Sequence, residues 1–584
     1  MIAGYRVKRA VVLPDLLTDG RDETSGEHSH SERSNFGDIY DAAHFKREML
    51  RASILVLSQD VLPPTFEYVP SSIHQLNGLS SVAHVSIPCP LFKFALLRSE
   101  APLVFSILNA LLPSKEIQAY LSSISKSLPK YNFLHLRIEN DWLEHCVKWE
   151  SLPDDIVRDN CLSNSDVIDE VIPNFGFEAH VPLFVETFWE DVGDNIYSAA
   201  VNRLHMTYPV RHIADSLPDR QKRIYDVLPR ESRAAISFFI AMGAARFIGN
   251  SVSTFAALLI IERRQLGHWS AQYNGGNIPI TMYIPGLVKL PWVFAHTSIS
   301  VEYDYMAKVA VQSAGSAGTL QAFCILHGNV APGLVQWLEE RDVVIIKHTP
   351  LWYDKFIAIY RSSSASTRNA RFSHLYADPE MMVATFLRVD MPVLPELEQY
   401  TYVLYTDTDV FFARALTLDN FRLPLPQSVA MGHEGLLPFP LNAGVILANL
   451  PTMRRKYKDF IHEMFYGEGN SGFHYGKYGP GDQGILNKFY QSDLEHNVLA
   501  PIFNAQSYLP FIHNAFIVHF QGPKPVDYVK WVKDGICRFQ GMCSLGMQNK
   551  ACGYLHQWST YAIDTMDEAG MQVAEDIYQI CNIS

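Results

Sequence analysis

The chain has 584 residues, too many for one ordinary hydrophobic core, and this length allows about four small domains or roughly two large ones. With 48% hydrophobic and 19% charged residues and no long biased segment, the composition is that of a globular protein. The net charge of −13 argues against nucleic acid or an anionic membrane as the main partner, because both select basic patches. A local basic pocket for a phosphate is compatible with this charge.

The N-terminal segment lacks the pattern of a signal peptide. In "MIAGYRVKRAVVLPDLLTDGRDE", Met1 to Glu23, a short apolar patch follows the basic residues and no small-residue cleavage pattern comes after it. The pattern predicts the end of a helix and then a core strand. We therefore expect the chain to start inside a domain, with any anchor upstream.

The most apolar segment runs from Ala234 to Ile261 and is interrupted by Arg246 and Asn250. A membrane-spanning helix needs about 18 or more uninterrupted apolar residues, so the segment fails that test. It predicts a buried helix, a strand and a second helix. No transmembrane segment is expected within this chain.

Gly and Pro gather between Gln272 and Phe294, which predicts a domain boundary near residue 285. Beyond it, "WVFAH", "LQAFCILHG" and "VVIIKHT" predict strands, with helices predicted at "EYDYMAKVAVQSA" and "APGLVQWLEERD" between them. Such alternation implies a parallel sheet with right-handed crossovers. Ligands of open parallel sheets bind beyond the carboxyl ends of the strands.

The stretch "YVLYTDTDVFF", Tyr402 to Phe412, predicts a buried strand that ends in Asp407 and Asp409. Carboxylates at the edge of a core need a cation or many donors, and a divalent metal with oxygen ligands meets that need. The alternative is a turn in which Asp and Thr side chains satisfy local backbone N–H groups. The position at a strand's carboxyl end is where a ligand of the sheet would bind.

Three later stretches supply groups for the same ligand: Asn442-Ala443-Gly444 opening a strand, Asp482-Gln483-Gly484 after a Gly-rich loop, and "FIVHFQGPKP" with His519, Gly522 and Lys524. Taken singly, His519 is a satisfied histidine, Lys524 a solvated lysine and Asp482 a helix N-cap. Together they offer carboxylates and an imidazole for a divalent ion, an ammonium for phosphate and polar groups for a sugar.

Residues from about 292 to 530 resemble glycosyltransferase family 8, the glycogenin-like retaining transferases of the GT-A fold, because "FLRVDMPVLPELEQYTYVLYTDTDVFF", "LNAGV", "GDQGILN" and "HFQGPKP" follow the family's order. The resemblance implies that Asp407, Asp409 and His519 hold Mn²⁺ (or Mg²⁺) against the diphosphate of a UDP-sugar. It also implies that Lys524 and Gly522 lie at the phosphates. Asn442, Asp482 and Gln483 would line the donor sugar and the acceptor as catalytic residues.

The first half resembles the protein O-fucosyltransferase-like group, in "NFGDIYDAAHFKREML", "YNFLHLRIENDW" and "ARFIGNSVSTFAALLIIERR". This implies a GT-B enzyme that uses GDP-fucose without a metal. Arg137 would contact the diphosphate, His135 would shape the site, and Ser253, Thr254 and Phe255 would cradle phosphates at a helix start, where backbone N–H groups favour anions. The alternative for "HLR" is a plain strand with an exposed arginine.

Eight cysteines are unevenly placed. Cys89, Cys146, Cys161 and Cys324 are scattered, which predicts buried small hydrophobes. The tail holds Cys537, Cys543, Cys552 and Cys581, which predict two disulfides in one of three pairings, or else a metal site that the absence of C-x-x-C disfavours. Disulfides indicate an oxidising lumen. With the two resemblances, this predicts the Golgi or endoplasmic reticulum lumen, the cytoplasm being the alternative.

The sequence therefore predicts an α/β protein: an incomplete Rossmann-like, GT-B-like domain in residues 1–285, expected to be N-terminally truncated, a GT-A domain in residues 286–536 and a Cys-containing extension in residues 537–584. The predicted function is sugar transfer from a nucleotide sugar to a glycan or protein acceptor. It is metal-dependent and retaining in the second module, with a fucosyltransferase-like first module. The alternative is a carbohydrate-binding or scaffold protein with one or both modules inactive.

Overall fold

The computed structural model describes residues 11–12, 16–17, 33–57, 100–138, 140–149, 161, 168, 172–175, 177–187, 194–274, 288–297, 300–328, 330–362, 378–421 and 425–581. The chain divides into two compact units, Met1–Val288 and Lys289–Ser584. Both contain helices and a sheet with parallel strands, so the predicted α/β fold class is confirmed. The predicted segment Met1 to Ala10 lies outside the described residues.

The strands of the first unit follow in chain order: β1 Val11–Val12, β2 Leu16–Leu17, β3 Arg33–Ser34, β4 Val56–Leu57, β5 Asn132–His135, β6 Leu183–Glu186, β7 Val210–Arg211, β8 Arg246–Gly249 and β9 Ser270–Gln272. The last five form one sheet in the order β7-β6-β5-β8-β9, and every pairing in it is parallel. β5 is therefore the central strand, and its carboxyl end lies at the ligand-binding edge expected of such a sheet.

The helices of the first unit are α1 Phe36–Ile39, α2 Ala42–Arg51, α3 Ala101–Asn109, α4 Lys115–Ser127, α5 Asn140–Trp149, α6 Asp194–His205, α7 Asp219–Tyr225, α8 Arg230–Gly243 and α9 Thr254–Gln265. The segment Ala234 to Ile261 falls on α8, β8 and α9, so its predicted helix, strand and helix are confirmed. None of the helices in the described ranges combines the length and apolar character that a membrane crossing requires.

A buried arginine in α9 connects the end of α8 to the segment that leads into β9. Arg263, in α9, is fully buried and donates hydrogen bonds to the carbonyl oxygens of Ala241, Met242, Ala244 and Trp269 and to Ser270 Oγ. The first of these carbonyls belong to the end of α8, where a helix leaves carbonyl groups without intrahelical partners. The guanidinium thus caps one helix from another, and its positive charge suits the helix C-terminus.

The strands of the second unit are β10 Leu290–His296, β11 Leu320–Leu326, β12 Val344–Lys347, β13 Tyr402–Thr406, β14 Val410–Phe412, β15 Val429–Glu434, β16 Leu437–Asn449, β17 Ala505–Gln506 and β18 Ile517–His519. The main sheet has the order β12-β11-β10-β13-β16-β15. The first four strands are parallel, as predicted, but β16 runs antiparallel to β13 and to β15. The sheet is therefore mixed, because a hairpin follows the predicted crossovers.

The helices of the second unit are α10 Val301–Ala317, α11 Pro332–Glu339, α12 Tyr353–Arg361, α13 Pro379–Phe386, α14 Leu450–Tyr466, α15 Gly481–Phe489, α16 Gln491–Leu494, α17 Pro525–Asp534, α18 Gln540–Gln548, α19 Cys552–Asp564 and α20 Glu568–Cys581. A short 3₁₀ helix, Leu387–Val393, follows α13. Buried clusters cover both faces of the main sheet, with Val293 in one and Trp292 and Phe294 in the other. Burial on both faces explains why β10 is apolar from Leu290 to Ala295, up to its last residue, His296.

We predict that Arg263→Met lowers the stability of the first unit by about 3 kcal/mol or more, because several buried acceptors lose their donor at once. Thermal unfolding followed by calorimetry measures the loss, and hydrogen exchange mass spectrometry shows which unit loosens. Arg264→Met is the matched control, because the neighbouring Arg264 guanidinium bonds Ser270 O from a less buried position. Equal stability of the two variants would contradict the capping role.

Candidate active site

The D-T-D stretch links two strands of different sheets. β13 ends at Thr406, and β14 begins at Val410, which pairs with His519 of the antiparallel β18. This register brings His519 beside the two aspartates. One ligand atom each from Asp407, Asp409 and His519 lie within 4.8 Å of one another. Three residues from two distant segments thus form a cluster with the ligand types of a divalent metal site.

Asp409 is buried beside Lys524 and His519. Its Oδ2 is ion-paired with the ammonium of Lys524, and its Oδ1 lies 3.3 Å from His519 Nε2. Burial raises the pKa of this carboxyl, but the charge of Lys524 and the neighbouring His519 ring outweigh burial and hold the pKa well below its usual range. Within the described part of the chain, Oδ1 is a buried oxygen that accepts no hydrogen bond. An ionised carboxylate with one unsatisfied oxygen fits a cation.

Arg388 holds the other aspartates. From the 3₁₀ helix after α13, its Nη2 donates to Asp407 Oδ1 at 2.6 Å, its Nε lies 3.1 Å from Asp482 Oδ2, and its Nη1 donates to Ala443 O. Asp482 is buried, and burial raises the pKa of its carboxyl, with Arg388 opposing that effect. One guanidinium therefore fixes the positions of two carboxylates and a backbone carbonyl.

Asn442, Ala443 and Gly444 lie inside β16, not at its start as predicted, because the strand begins earlier, at Leu437. The backbone of Gly444 passes under the His519 ring: a Cβ built there would lie 2.1 Å from His519 Cε1. Only glycine leaves room for the imidazole at this point. Asp407 N also donates to Gly444 O, so the strand and the D-T-D stretch are directly joined.

Asn442 and Gln483 belong to one hydrogen-bonded group of polar side chains. Asn442 Nδ2 donates to Glu434 Oε2 at 3.0 Å and to Gln483 Oε1 at 3.3 Å, and Gln483 Oε1 also accepts from Ala443 N. Glu434 in turn accepts from Gln521 Nε2. Asp482 and Gln483 lie in the first turn of α15, whose N-cap is Pro480, so the N-cap role considered for Asp482 is wrong.

Gly522 and Lys524 shape the end of the cluster. Gly522 has φ of 76°, in the left-handed region that favours glycine, and Lys524 is the N-cap residue of α17. Lys524 is buried, not solvated, which corrects the single-residue alternative. Burial lowers the pKa of its ammonium, but Asp409 outweighs burial and the pKa is raised above its usual value. The ammonium is therefore charged and lies beside the metal-ligand cluster.

Four residues of this site carry roles that the sequence reasoning did not assign: Arg388, Glu434, Asn504 and Gln521. The signal for Arg388 was a single charge inside the apolar run Phe386 to Val389, since a buried guanidinium needs carboxylate partners. Glu434 and Gln521 lie near motifs but carry no pattern of their own. Asn504 precedes a strand of only two residues, too short to show periodicity.

In the first unit, His135 is the last residue of the central strand β5 and is buried. Neither ring nitrogen has a hydrogen-bond partner among the described residues. Burial and the nearby Arg137 charge lower the pKa of His135 to about 3, so the ring is neutral. Its centroid lies 4.9 Å from that of Phe255 in the first turn of α9. The structure thus brings His135 and the start of α9 together.

Arg137 and Ser253 follow the carboxyl ends of β5 and β8, two neighbouring parallel strands of the five-stranded sheet. Arg137 is half-buried two residues after β5; its backbone N–H donates to Tyr273 OH, and its guanidinium lies 5.6 Å from the centre of the Trp142 ring. Ser253 is the N-cap residue of α9, yet its side chain makes no capping hydrogen bond, and Thr254 begins the helix. The N-terminus of this twelve-residue helix suits an anion.

The cysteines pair as Cys537–Cys543 and Cys552–Cys581 in the tail, which is one of the predicted arrangements. Cys146 pairs with Cys161, so the prediction that these two are buried small hydrophobes is wrong. Only 15 positions separate them in sequence, a spacing that carries no pairing signal by itself. Cys324 is a buried free cysteine, as predicted, and Cys89 lies outside the described residues.

No protein-family model matches the chain. The chain is 28% identical over 172 residues to O-fucosyltransferase 23 of Arabidopsis thaliana. That alignment covers 27% of this chain and spans 37% of the length of this curated relative. The similarity supports part of the resemblance seen in the sequence and leaves the activity of the whole chain to be proposed from its own site.

Similar solved structures include three glycosyltransferases. The apo form of GlyE from Streptococcus pneumoniae TIGR4 is 16% identical with a TM-score of 0.31, covering 50% of this chain and 64% of that one. The galactosyltransferase LgtC with donor and acceptor sugar analogues is 18% identical with a TM-score of 0.30, covering 44% and 96%. POFUT1 in complex with GDP is 14% identical with a TM-score of 0.29, covering 47% and 91%. These values are too low to transfer an activity.

We predict that Gly444→Ala displaces the His519 imidazole and weakens Mn²⁺ binding about 10- to 100-fold, the usual effect of disturbing a ligand's support. Isothermal titration of Mn²⁺ into the full chain measures it. Gly315→Ala in α10 is the control, because a Cβ there meets nothing within 4 Å and should leave the metal affinity unchanged. Unchanged Mn²⁺ affinity in Gly444→Ala would contradict the prediction that the His519 imidazole, in its position above Gly444, is a ligand of Mn²⁺.

Proposed function

We propose that the chain is a glycosyltransferase that uses a nucleotide-sugar donor. The observation that carries this proposal is the cluster of Asp407, Asp409 and His519 beside the charged Lys524 ammonium, at the carboxyl end of a parallel strand. A diphosphate ester needs positive charge at both its bound oxygens and its departing oxygen. A divalent ion next to a lysine supplies both in one place.

In the second unit, Asp407, Asp409 and His519 would hold Mn²⁺ (or Mg²⁺), and the orphaned Asp409 Oδ1 together with the mixed oxygen and nitrogen donor set fits such an ion. When bound, the ion would supply Lewis-acid stabilisation of a departing UDP. Lys524 would exchange its contact with Asp409 for a phosphate oxygen. Arg388 would hold Asp407 and Asp482 in place throughout.

The polar residues around Asn442 would receive the sugars. Asn442, Asp482 and Gln483 lie together on β16 and α15, and Glu434 adds a carboxylate held by Asn442. Amide and carboxylate groups arranged around one small space suit the hydroxyl groups of a sugar. We assign the donor sugar and the acceptor, a glycan or a protein, to this group, with retention of anomeric configuration as the family resemblance implies.

The first unit is proposed as a second, metal-free transferase site for GDP-fucose. A neutral buried His135, the guanidinium of Arg137 and the α9 N-terminus with Ser253 lie at one sheet edge. These groups can bind a diphosphate without a cation, because a guanidinium and backbone N–H groups already provide donors and charge.

We propose that the domains divide as residues 1–285, 286–536 and 537–584.

The disulfides favour an oxidising compartment, and we propose that the protein is located in the Golgi or endoplasmic reticulum lumen.

The competing function is that of a carbohydrate-binding or scaffold protein without turnover. The buried, charged Lys524–Asp409 pair favours the enzyme, because a binding module has no need to hold a cation and two metal-ligating carboxylates in one pocket.

We predict that UDP binds the full chain in Mn²⁺ and not in EDTA, because the ion links the carboxylates to the diphosphate. Asp409→Asn should abolish this binding, since it removes an anionic ligand and the partner of Lys524. Isothermal titration with UDP measures affinity, and hydrolysis of a panel of UDP-sugars measures turnover. UDP binding that ignores both EDTA and Asp409→Asn would rule out the metal-dependent transferase. Metal-dependent binding without hydrolysis or transfer would favour the scaffold.

We predict that GDP binds the first unit in EDTA, and that Arg137→Lys weakens it by about 1.5–3 kcal/mol, because lysine cannot reproduce the paired hydrogen bonds of a guanidinium. Titration of the full chain with GDP in EDTA measures the affinity. Arg211→Lys, at the exposed end of the edge strand β7, is the control. GDP binding that needs Mn²⁺, or an equal effect of both substitutions, would contradict the metal-free site.

A further inference from the structure

The environment of His519 contains a chain of amide hydrogen bonds that leads from the backbone to the imidazole. His519 Nδ1 lies 2.9 Å from Asn504 Oδ1, Asn504 Nδ2 donates to Asn442 Oδ1 at 3.2 Å, and Asn442 Oδ1 also accepts from Gly444 N at 3.0 Å. All three side chains are buried. Neither the Asn442 nor the Asn504 side-chain amide can rotate by 180° without losing these hydrogen bonds. The reason is that the donor and acceptor atoms at both ends of the series are fixed.

The orientation of Asn442 is fixed from both sides. A backbone N–H can only donate, so the atom of Asn442 that faces Gly444 N must be its oxygen. The atom that faces Glu434 Oε2, at 3.0 Å, is its nitrogen, which donates to this carboxyl oxygen. Both requirements give the same orientation. Asn442 Oδ1 therefore points at Asn504, and the NH₂ group of Asn504 must donate the hydrogen bond between them.

The orientation of Asn504 follows from that of Asn442. With its NH₂ directed at Asn442, its carbonyl oxygen faces His519 Nδ1. A carbonyl oxygen accepts only, so Nδ1 carries the proton. In the neutral imidazole the lone pair is then on Nε2, the nitrogen 3.3 Å from the unsatisfied Asp409 Oδ1. A lone pair and a carboxylate oxygen this close together are two ligand atoms that one divalent cation can bind.

The fold makes room for this arrangement. Asn504 immediately precedes β17, which runs parallel to β18, so its backbone is already beside the strand that carries His519. Its side chain packs on Gly432, where a Cβ would lie 2.7 Å from Asn504 Nδ2. Gly432 pairs with Asn442 at a register shift between β15 and β16. The irregularity of this hairpin thus provides the space that Asn504 occupies.

We propose that Asn504 is a positioning residue that holds His519 in the Nδ1–H tautomer, so that Nε2 would be free to bind a cation together with Asp407 and Asp409. Asn504 itself contacts neither the ion nor a sugar. This inference depends on the proposed metal-dependent function of the second unit. A carbonyl or carboxylate behind a ligating histidine orients the ring and raises the basicity of the ligating nitrogen.

The test compares three substitutions in the full chain, read by titration of Mn²⁺ and by thermal unfolding. Asn504→Leu removes the acceptor and should weaken Mn²⁺ binding about 10- to 100-fold. Asn504→Asp keeps an acceptor for Nδ1–H and should bind Mn²⁺ much more tightly than Asn504→Leu does. Asn449→Leu, the same change at the last residue of β16, removes a helix cap and should lower the Tm without weakening Mn²⁺ binding.

A purely structural role of Asn504 gives a different order. The carboxylate of Asn504→Asp would face Asn442 Oδ1, so a structural residue would tolerate Asp no better than Leu, and both variants would lose Tm and metal affinity together. That result, or unchanged Mn²⁺ affinity in Asn504→Leu, would overturn the inference while the wild type still binds Mn²⁺. A wild type without Mn²⁺ affinity would instead overturn the proposed metal-dependent function itself, and the inference with it.

Discussion

The arrangement of the site in the second unit depends on pairing buried carboxylates with buried cations. Asp409 and Asp482 are buried carboxylates, and Lys524 and Arg388 are the buried cations that pair with them. Burial of either charge without its partner costs several kcal/mol, so these side chains must assemble together. Because the pairs connect the D-T-D stretch between β13 and β14, the 3₁₀ helix, α15 and α17, the charge balance fixes the relative positions of four segments that are far apart in sequence. The metal-ligand cluster is formed at the point where these elements meet.

The same balance explains why the site suits chemistry on a diphosphate. Asp407 and Asp409 keep negative charge near His519, which favours a divalent ion, and Lys524 keeps positive charge within reach of the ligand. Asp409 Oδ1 accepts no hydrogen bond from the described residues, so this oxygen is available to a cation. The diphosphate site proposed for the first unit would use other groups, a neutral His135, a guanidinium and a helix N-terminus. Two means of binding a diphosphate would then exist in one chain.

The sequence predicted the residues that end strands and missed those that support them. Asp407 and Asp409 follow an apolar parallel strand, so the rule for parallel sheets placed them at the ligand-binding edge. His519 was assigned to the same site from its motif, and it reaches the aspartates through the antiparallel register of β14 and β18. Arg388 and Asn504 could not be found this way, since a 3₁₀ helix and the residue before a two-residue strand give no periodicity from which a side-chain direction follows. The mixed hairpin β15–β16 was missed because its register shifts break the alternation of side chains, which also placed Asn442 inside a strand instead of at its start. The pairing of Cys146 with Cys161 depended on tertiary proximity alone.

The central claim is that Asp407, Asp409 and His519 together hold a divalent ion against a nucleoside diphosphate. Crystals of the full chain grown with Mn²⁺ and UDP test it most directly, because anomalous scattering at the manganese edge locates the ion without assumptions about the protein. The account predicts one strong anomalous peak in coordination distance of both carboxylates and His519 Nε2, with the UDP diphosphate on the opposite side of the ion and next to Lys524. A peak elsewhere in the chain, or UDP bound at this cluster with Asp409 still paired to Lys524 and no anomalous signal, would contradict it.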